Sequence, residues 1–174
     1  LSAVIMFRIW PEDKLNMTHL DIEEWIETAL YFGATRVYAY DNWEKAEESQ
    51  LSHLAPWIEA GIVKYHHWPT TKPFGYPFSQ TSAYTHALYR YGNNSEWFWQ
   101  ADVDEIPLVI NDTSPGFLLR FARKSVWIVQ EATQLRLQSV YFGKYATARE
   151  VPAEEECPGS CDRRCSRQMM MERQ

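Results

Sequence analysis

Two hydrophobic periods alternate along most of this chain, and that alternation restricts the fold more than any other feature. Compact apolar runs, the pattern of strands buried on both faces, take turns with stretches whose apolar residues recur at helical spacing. Ala3–Ile9 is the first run. Pro11 to Met17 reads as loop, after which Ile22, Trp25, Ile26, Ala29 and Leu30 form one helical stripe. Asp21 is placed to cap that helix with Glu24 as its reciprocal partner, and Gly33 to end it in the left-handed conformation. Val37–Tyr40 is a second strand. A polar helical segment from Glu44 carries Leu51, Leu54 and Ile58, with Pro56 forcing a kink or a fresh turn and Gly61 a stop. Ile62–His66 is strand three, Pro69–Pro77 a proline-rich loop, Gln80–Tyr91 a helix and Trp97–Ala101 strand four. Ser114 and Pro115 open a helix through Arg123, and Val126–Gln130 and Leu135–Phe142 read as two more strands. The series predicts an α/β fold, a Rossmann-like sheet flanked by helices and joined by right-handed crossovers.

With 174 residues the chain suits one domain. Residues 1–150 carry the pattern. Residues 151–174, with Cys157, Cys161 and Cys165, show no period and are expected to be loop-like or an incomplete element. The cysteine spacing is not that of a zinc ribbon and suits an oxidising lumen better. Three glycosylation sequons, at Asn16, Asn93 and Asn111, point to the secretory pathway as well. The net charge of -6 and the lack of a basic stripe argue against nucleic-acid binding. No run approaches the roughly 20 apolar residues that a membrane span needs. A start at Leu1 and an odd thiol count lead to the expectation of a truncated chain, with any membrane anchor outside it. Aromatic residues make up 15%, an excess that suits a large core and sugar pockets alike.

In α/β sheets ligands bind at the carboxyl ends of the strands. Two acidic sites fall there, Asp41-Asn42 and Asp102-Val103-Asp104. On an extended backbone Asp102 and Asp104 face the same side, roughly 6.6 Å apart along the chain, while Val103 turns to the core. Two bare carboxylates so close would raise each other's pKa, and a hard divalent cation, Mn2+ or Mg2+, removes the conflict. Such a cation suits the charge that builds on a nucleoside diphosphate as a sugar leaves it. Glu105 is a ligand, an orienting group or simply solvated. Asp41 either accepts a hydrogen bond from base or ribose or caps a helix. Lys72 is a phosphate contact or a solvated lysine, and the neighbours His66 and His67 face opposite ways, one packed and one exposed. A glycoside hydrolase using Asp102 and Glu105 as an acid/base pair is a weaker alternative, since their spacing along the chain does not fix the distance between the two carboxyl groups.

Beyond the acidic pair, five segments resemble glycosyltransferase family 92, also called domain of unknown function 23. They are Glu24-Trp25-Ile26-Glu27 through Gly33, Val37-Tyr38-Ala39-Tyr40-Asp41-Asn42, and Leu54-x-Pro56-Trp57-Ile58-x-x-Gly61-Ile62-Val63. Gln80-x-x-Ala83-Tyr84-x-x-Ala87-Leu88-Tyr89-Arg90-Tyr91 and Trp97-x-x-x-Ala101-Asp102-Val103-Asp104-Glu105 complete the set, with Phe142-Gly143 as a further landmark. The resemblance covers about Val4 to Gly143. It implies a GT-A fold, a manganese-assisted UDP-sugar donor site, a glycan acceptor and a membrane-anchored Golgi enzyme. Several members of the family transfer galactose from UDP-galactose to glycans. It also implies Asp102 and Asp104 as metal–diphosphate ligands, with Glu105 beside them as the third catalytic candidate. Asp41, Asn42, Gln80 and Val103 are then the candidate nucleotide-binding positions. The competing expectation is a non-catalytic fragment or pseudoenzyme of the same fold that binds nucleotide or a partner without turnover.

Overall fold

The computed structural model describes residues 1–9, 17–70, 75–107, 112–128, 134–138 and 168–173. Lys72, the three cysteines, Asn16 and Asn111 of the sequons, and the 139–142 end of the last expected strand lie outside the described residues.

Among the described residues, six strands form one sheet in the order β3-β2-β1-β4-β6-β5. The strands are β1 (Ser2–Phe7), β2 (Arg36–Asp41), β3 (Val63–His67), β4 (Trp97–Gln100), β5 (Gln134–Gln138) and β6 (Gln168–Arg173). The first four run parallel, with Ile5 beside Ala39, Ala39 beside Tyr65 and Ala3 beside Trp99. β6 is antiparallel to β4, and β5 antiparallel to β6. Helices α1 (His19–Tyr31), α2 (Leu51–Glu59), α3 (Gly75–Tyr91) and α4 (Phe117–Ile128) connect them.

Strand alternation sorts the core into two layers. Ala3, Ile5, Phe7, Val37, Ala39, Trp97 and Trp99 face α1, α2 and α4, where they meet Ile22, Trp25, Ile26, Leu54, Leu118 and Ala122. Val4, Met6, Tyr38, Tyr40 and Phe98 face α3 through Ala83 and Ala87. The aromatic excess is therefore largely core: Trp25 stacks on Trp99 at 4.8 Å, and Tyr38 lies between Tyr91 and Phe98. Each buried ring of this size removes enough apolar surface from water to contribute about 2–3 kcal/mol. Helices α1 and α3 cover opposite faces on either side of the β1–β4 seam. That seam is the switch point, where an open α/β sheet leaves a crevice at its carboxyl edge.

Several local expectations are refined. α1 starts three residues early, at His19, because Thr18 is its cap and Asp21 serves as the third residue of a capping box, accepting from the N–H (2.6 Å) and hydroxyl (2.9 Å) of Thr18. Gly33 ends it with φ +105°, and a Cβ there would come within 3.0 Å of Gly116 Cα. α2 begins at Leu51, runs through Pro56 and stops before Gly61, at φ +70°. α3 begins at Gly75 rather than Gln80, since Pro77 in a first turn forfeits no hydrogen bond. The expected strand at Val126–Gln130 is the end of α4 as far as Ile128: Leu118, Ala122 and Val126 recur every four residues, and helical continuation outweighs the β-branched local preference. A strand stands at Gln168–Arg173, where no period was legible.

Candidate functional site

β1 reaches Phe7, whereas β4 ends at Gln100, opposite Val4. The chain after Gln100 therefore leaves the sheet beside β1, at the switch point. It does so in a turn. The Glu105 N–H donates to the Asp102 carbonyl at 3.0 Å, and the Glu105 carboxylate accepts from the Asp102 N–H at 3.1 Å. The extended geometry expected for Asp102 and Asp104 is thus corrected: β4 ends its strand pairing at Gln100, and the backbone beyond it closes on itself and on a local carboxylate. Asp102 is half-buried and Asp104 exposed. Val103 packs against the main core, as its place between them requires.

Asp102 is held from the other face of the sheet. Gln80, in the second turn of α3, donates its amide to Asp102 Oδ1 and also to the Tyr84 hydroxyl at 3.2 Å. Tyr84 in turn donates to the Ala101 carbonyl at 3.4 Å. Burial, aided by the nearby charges of Asp102 and Glu105, pushes the Tyr84 phenol well above its ordinary pKa, so it remains a proton donor. Tyr76, one turn earlier, donates to the Met6 carbonyl at 3.4 Å and brings the start of α3 over the end of β1.

At the end of β2 the arrangement differs. Asp41 is fully buried, and its Oδ2 accepts from the Gln50 N–H at 2.7 Å and the Tyr65 hydroxyl at 2.8 Å. It thereby anchors the start of α2 to β3. Its other oxygen, Oδ1, meets no hydrogen-bond partner among the described residues. Burial raises the carboxyl to about 6, against the pull of the two hydrogen bonds. Asn42 is equally buried, donating to the Trp68 carbonyl at 2.5 Å and accepting from Thr70 at 2.9 Å and from Arg8 at 3.5 Å. Its amide ties three strand ends together. His66 packs among Tyr40, His86 and Tyr91, and burial first, then His86 and Lys64, lowers it to about 4. His67 is exposed and stacks on Trp43 at 3.7 Å. The opposite facing of these two histidines is as expected.

The family model described as Glycosyltransferase family 92 matches residues 16–171. The chain belongs to glycosyltransferase family 92. No curated protein matches it. The match runs through every element from α1 into β6, so in this family-92 domain the acidic turn and the Gln80 brace both lie inside the matched region.

The donor set of the turn fits a hard cation. Asp102 and Asp104 offer carboxylate oxygens alone, one braced by Gln80 and one exposed. Glu105 is drawn back onto the turn and reads as its clamp. Among residues not singled out earlier, Arg8 stands at the end of β1 on the switch point, paired with Glu44 at 3.3 Å. It is the one charged residue in the Ala3–Ile9 run, a signal that was available. Tyr65 carried none, because only the fold brings its hydroxyl to Asp41; burial chiefly pushes that phenol up to about 12.

Proposed function

We propose that this family-92 glycosyltransferase moves a hexose, galactose in the first instance, from a UDP-sugar to a glycan hydroxyl. The observation that carries the reading is the acidic turn at the switch point, with Asp102 braced by Gln80. Asp102 and Asp104 would hold Mn2+ or Mg2+, which supplies positive charge against the diphosphate as the sugar leaves. Gln80 keeps Asp102 Oδ1 in one place, so that little reorganisation is needed when the donor arrives. Glu105 and the Val103 side chain hold the turn's shape from either side. Arg8, held by Asn42 and Glu44, offers further positive charge beside the crevice. Asp41 Oδ1 is the acceptor available to ribose or base; its enclosure means that the segment after β2 must shift for the contact to form. The Asn93 sequon lies in an exposed turn, in keeping with a Golgi or secretory-lumen setting and a membrane-anchored parent protein.

Calorimetry of UDP binding with and without Mn2+ is the test. Binding that requires Mn2+ and disappears in Asp102→Asn is the expected result; equal binding without metal would sink the proposal. A non-catalytic binding domain would bind UDP with Mn2+ yet neither hydrolyse nor transfer the sugar of any donor in a screen.

A further inference from the structure

On the α1–α2 side of the sheet, three metal-ligating side chains converge that the donor-site reading leaves unused. His19 and Glu23 are four residues apart on α1 and so share one face, and His53 comes from the first turn of α2. One ligand atom from each lies within 4.8 Å of the others. The two imidazoles are stacked, ring centres 4.0 Å apart and planes 16° from parallel. No hydrogen bond or ion pair accounts for the gathering among the described residues. The stack brings both imidazoles together beside the Glu23 carboxylate, with one ligand atom of each close enough for an ion to draw in.

We propose that His19, Glu23 and His53 form a zinc-type metal site that ties α1 to α2. Two imidazole nitrogens and one carboxylate are a three-ligand zinc set with the fourth position open. Ligands on a tetrahedral zinc lie roughly 3.3 Å apart, given bonds of about 2.0–2.1 Å, so from separations of up to 4.8 Å the cluster must contract by up to about 1.5 Å. One ring has to turn out of the stack to aim its lone pair at a shared ion. His53, which is exposed and has a broad χ2, has room to do so. Nitrogen ligands favour zinc over manganese or magnesium, the reverse of the all-oxygen set at Asp102 and Asp104. The two sites therefore select different ions, although helices α1 and α2 both begin at the carboxyl edge of the sheet, where the acidic turn also lies.

The experiment is equilibrium dialysis of the whole chain against zinc at neutral pH, with the three cysteines alkylated so that thiolates cannot contribute. One zinc per chain is expected, with affinity weakened about tenfold or more in His53→Ala and in Glu23→Gln, and unchanged in Asp102→Asn. Saturating zinc should also raise the melting temperature by about 5–10 °C, a gain absent from His53→Ala. Circular dichroism of both ligand variants checks that they fold. Absence of zinc binding at micromolar metal, or an affinity that neither ligand substitution alters, overturns the proposal. Loss of zinc in Asp102→Asn overturns it too, by moving the ion to the acidic turn.

Discussion

At the end of β2, Asp41 is sealed from solvent and spends one oxygen on the Gln50 N–H and the Tyr65 hydroxyl. At the end of β4, Asp102 is half-open, braced by the Gln80 amide from α3 and followed by an exposed Asp104. Both are aspartates at the carboxyl edge of one sheet, and residue type does not separate them. What separates them is how far each strand runs. β2 stays paired with β1 to its last residue, Phe7 beside Asp41, so its terminal carboxyl is walled in by both neighbours. β4 stops opposite Val4, and the following residues leave the sheet in a turn. An acidic strand end in such a sheet is walled in where the neighbouring strands keep pace and left open where they outrun it.

The contrast can be broken most directly at Asp102. Asp102→Asn is expected to lower metal-dependent sugar transfer by about 100- to 1000-fold while moving the melting temperature by less than about 2 °C. Donor turnover and a thermal scan of the same preparation check both halves. Loss of the fold together with the activity would make Asp102 a brace like Asp41.

Asp41→Ala should do the opposite. It strands a buried N–H and a buried hydroxyl, at a cost of about 2–4 kcal/mol in urea unfolding. A variant as stable as the parent, yet unable to bind UDP, would reverse the two assignments.

The titration of Asp41 sharpens the same point. Its folded value of about 6 lies above the ordinary 3.8, so between the two the folded chain keeps a proton that the unfolded chain has released. Stability should therefore fall as pH rises through that window, by about 3 kcal/mol, and level off above it. Asp41→Asn should flatten the slope. An unchanged slope would mean that some other group titrates there.

The smallest expected effect is at Gln80. Gln80→Leu leaves Asp102 without its brace and should raise the Mn2+ concentration needed for half-maximal UDP binding by about 10- to 100-fold. An unaltered metal requirement would show that the turn holds Asp102 without help from α3.

Much of the architecture could be read directly from the residues. The stripe Ile22, Trp25, Ile26, Ala29 is the buried face of α1, and Gly33 and Gly61 take the positive φ that ends their helices. The acidic turn was placed correctly at the end of the fourth strand, and its backbone shape was not. Spacing describes an isolated strand, whereas the shape here follows from β4 losing its partner at Gln100 and from Glu105 folding back onto the Asp102 N–H. Asp41 and Asn42, expected beside a nucleotide, owe their burial to strands distant in sequence. β6 was illegible because Gln168–Arg173 has no strand alternation of its own, and its pairing with β4 and β5 overrides local preference.

Hydrophobic period, helix stops and the order of motifs belonged to the chain by itself, since each is settled by contacts or dihedrals a few residues apart. They were enough to determine the α/β class and the position of the acidic segments. Which carboxylate stays open, which amide steadies it and which histidines gather between α1 and α2 were decided only in three dimensions. Burial and convergence are properties of neighbours that the chain brings together from dozens of residues away.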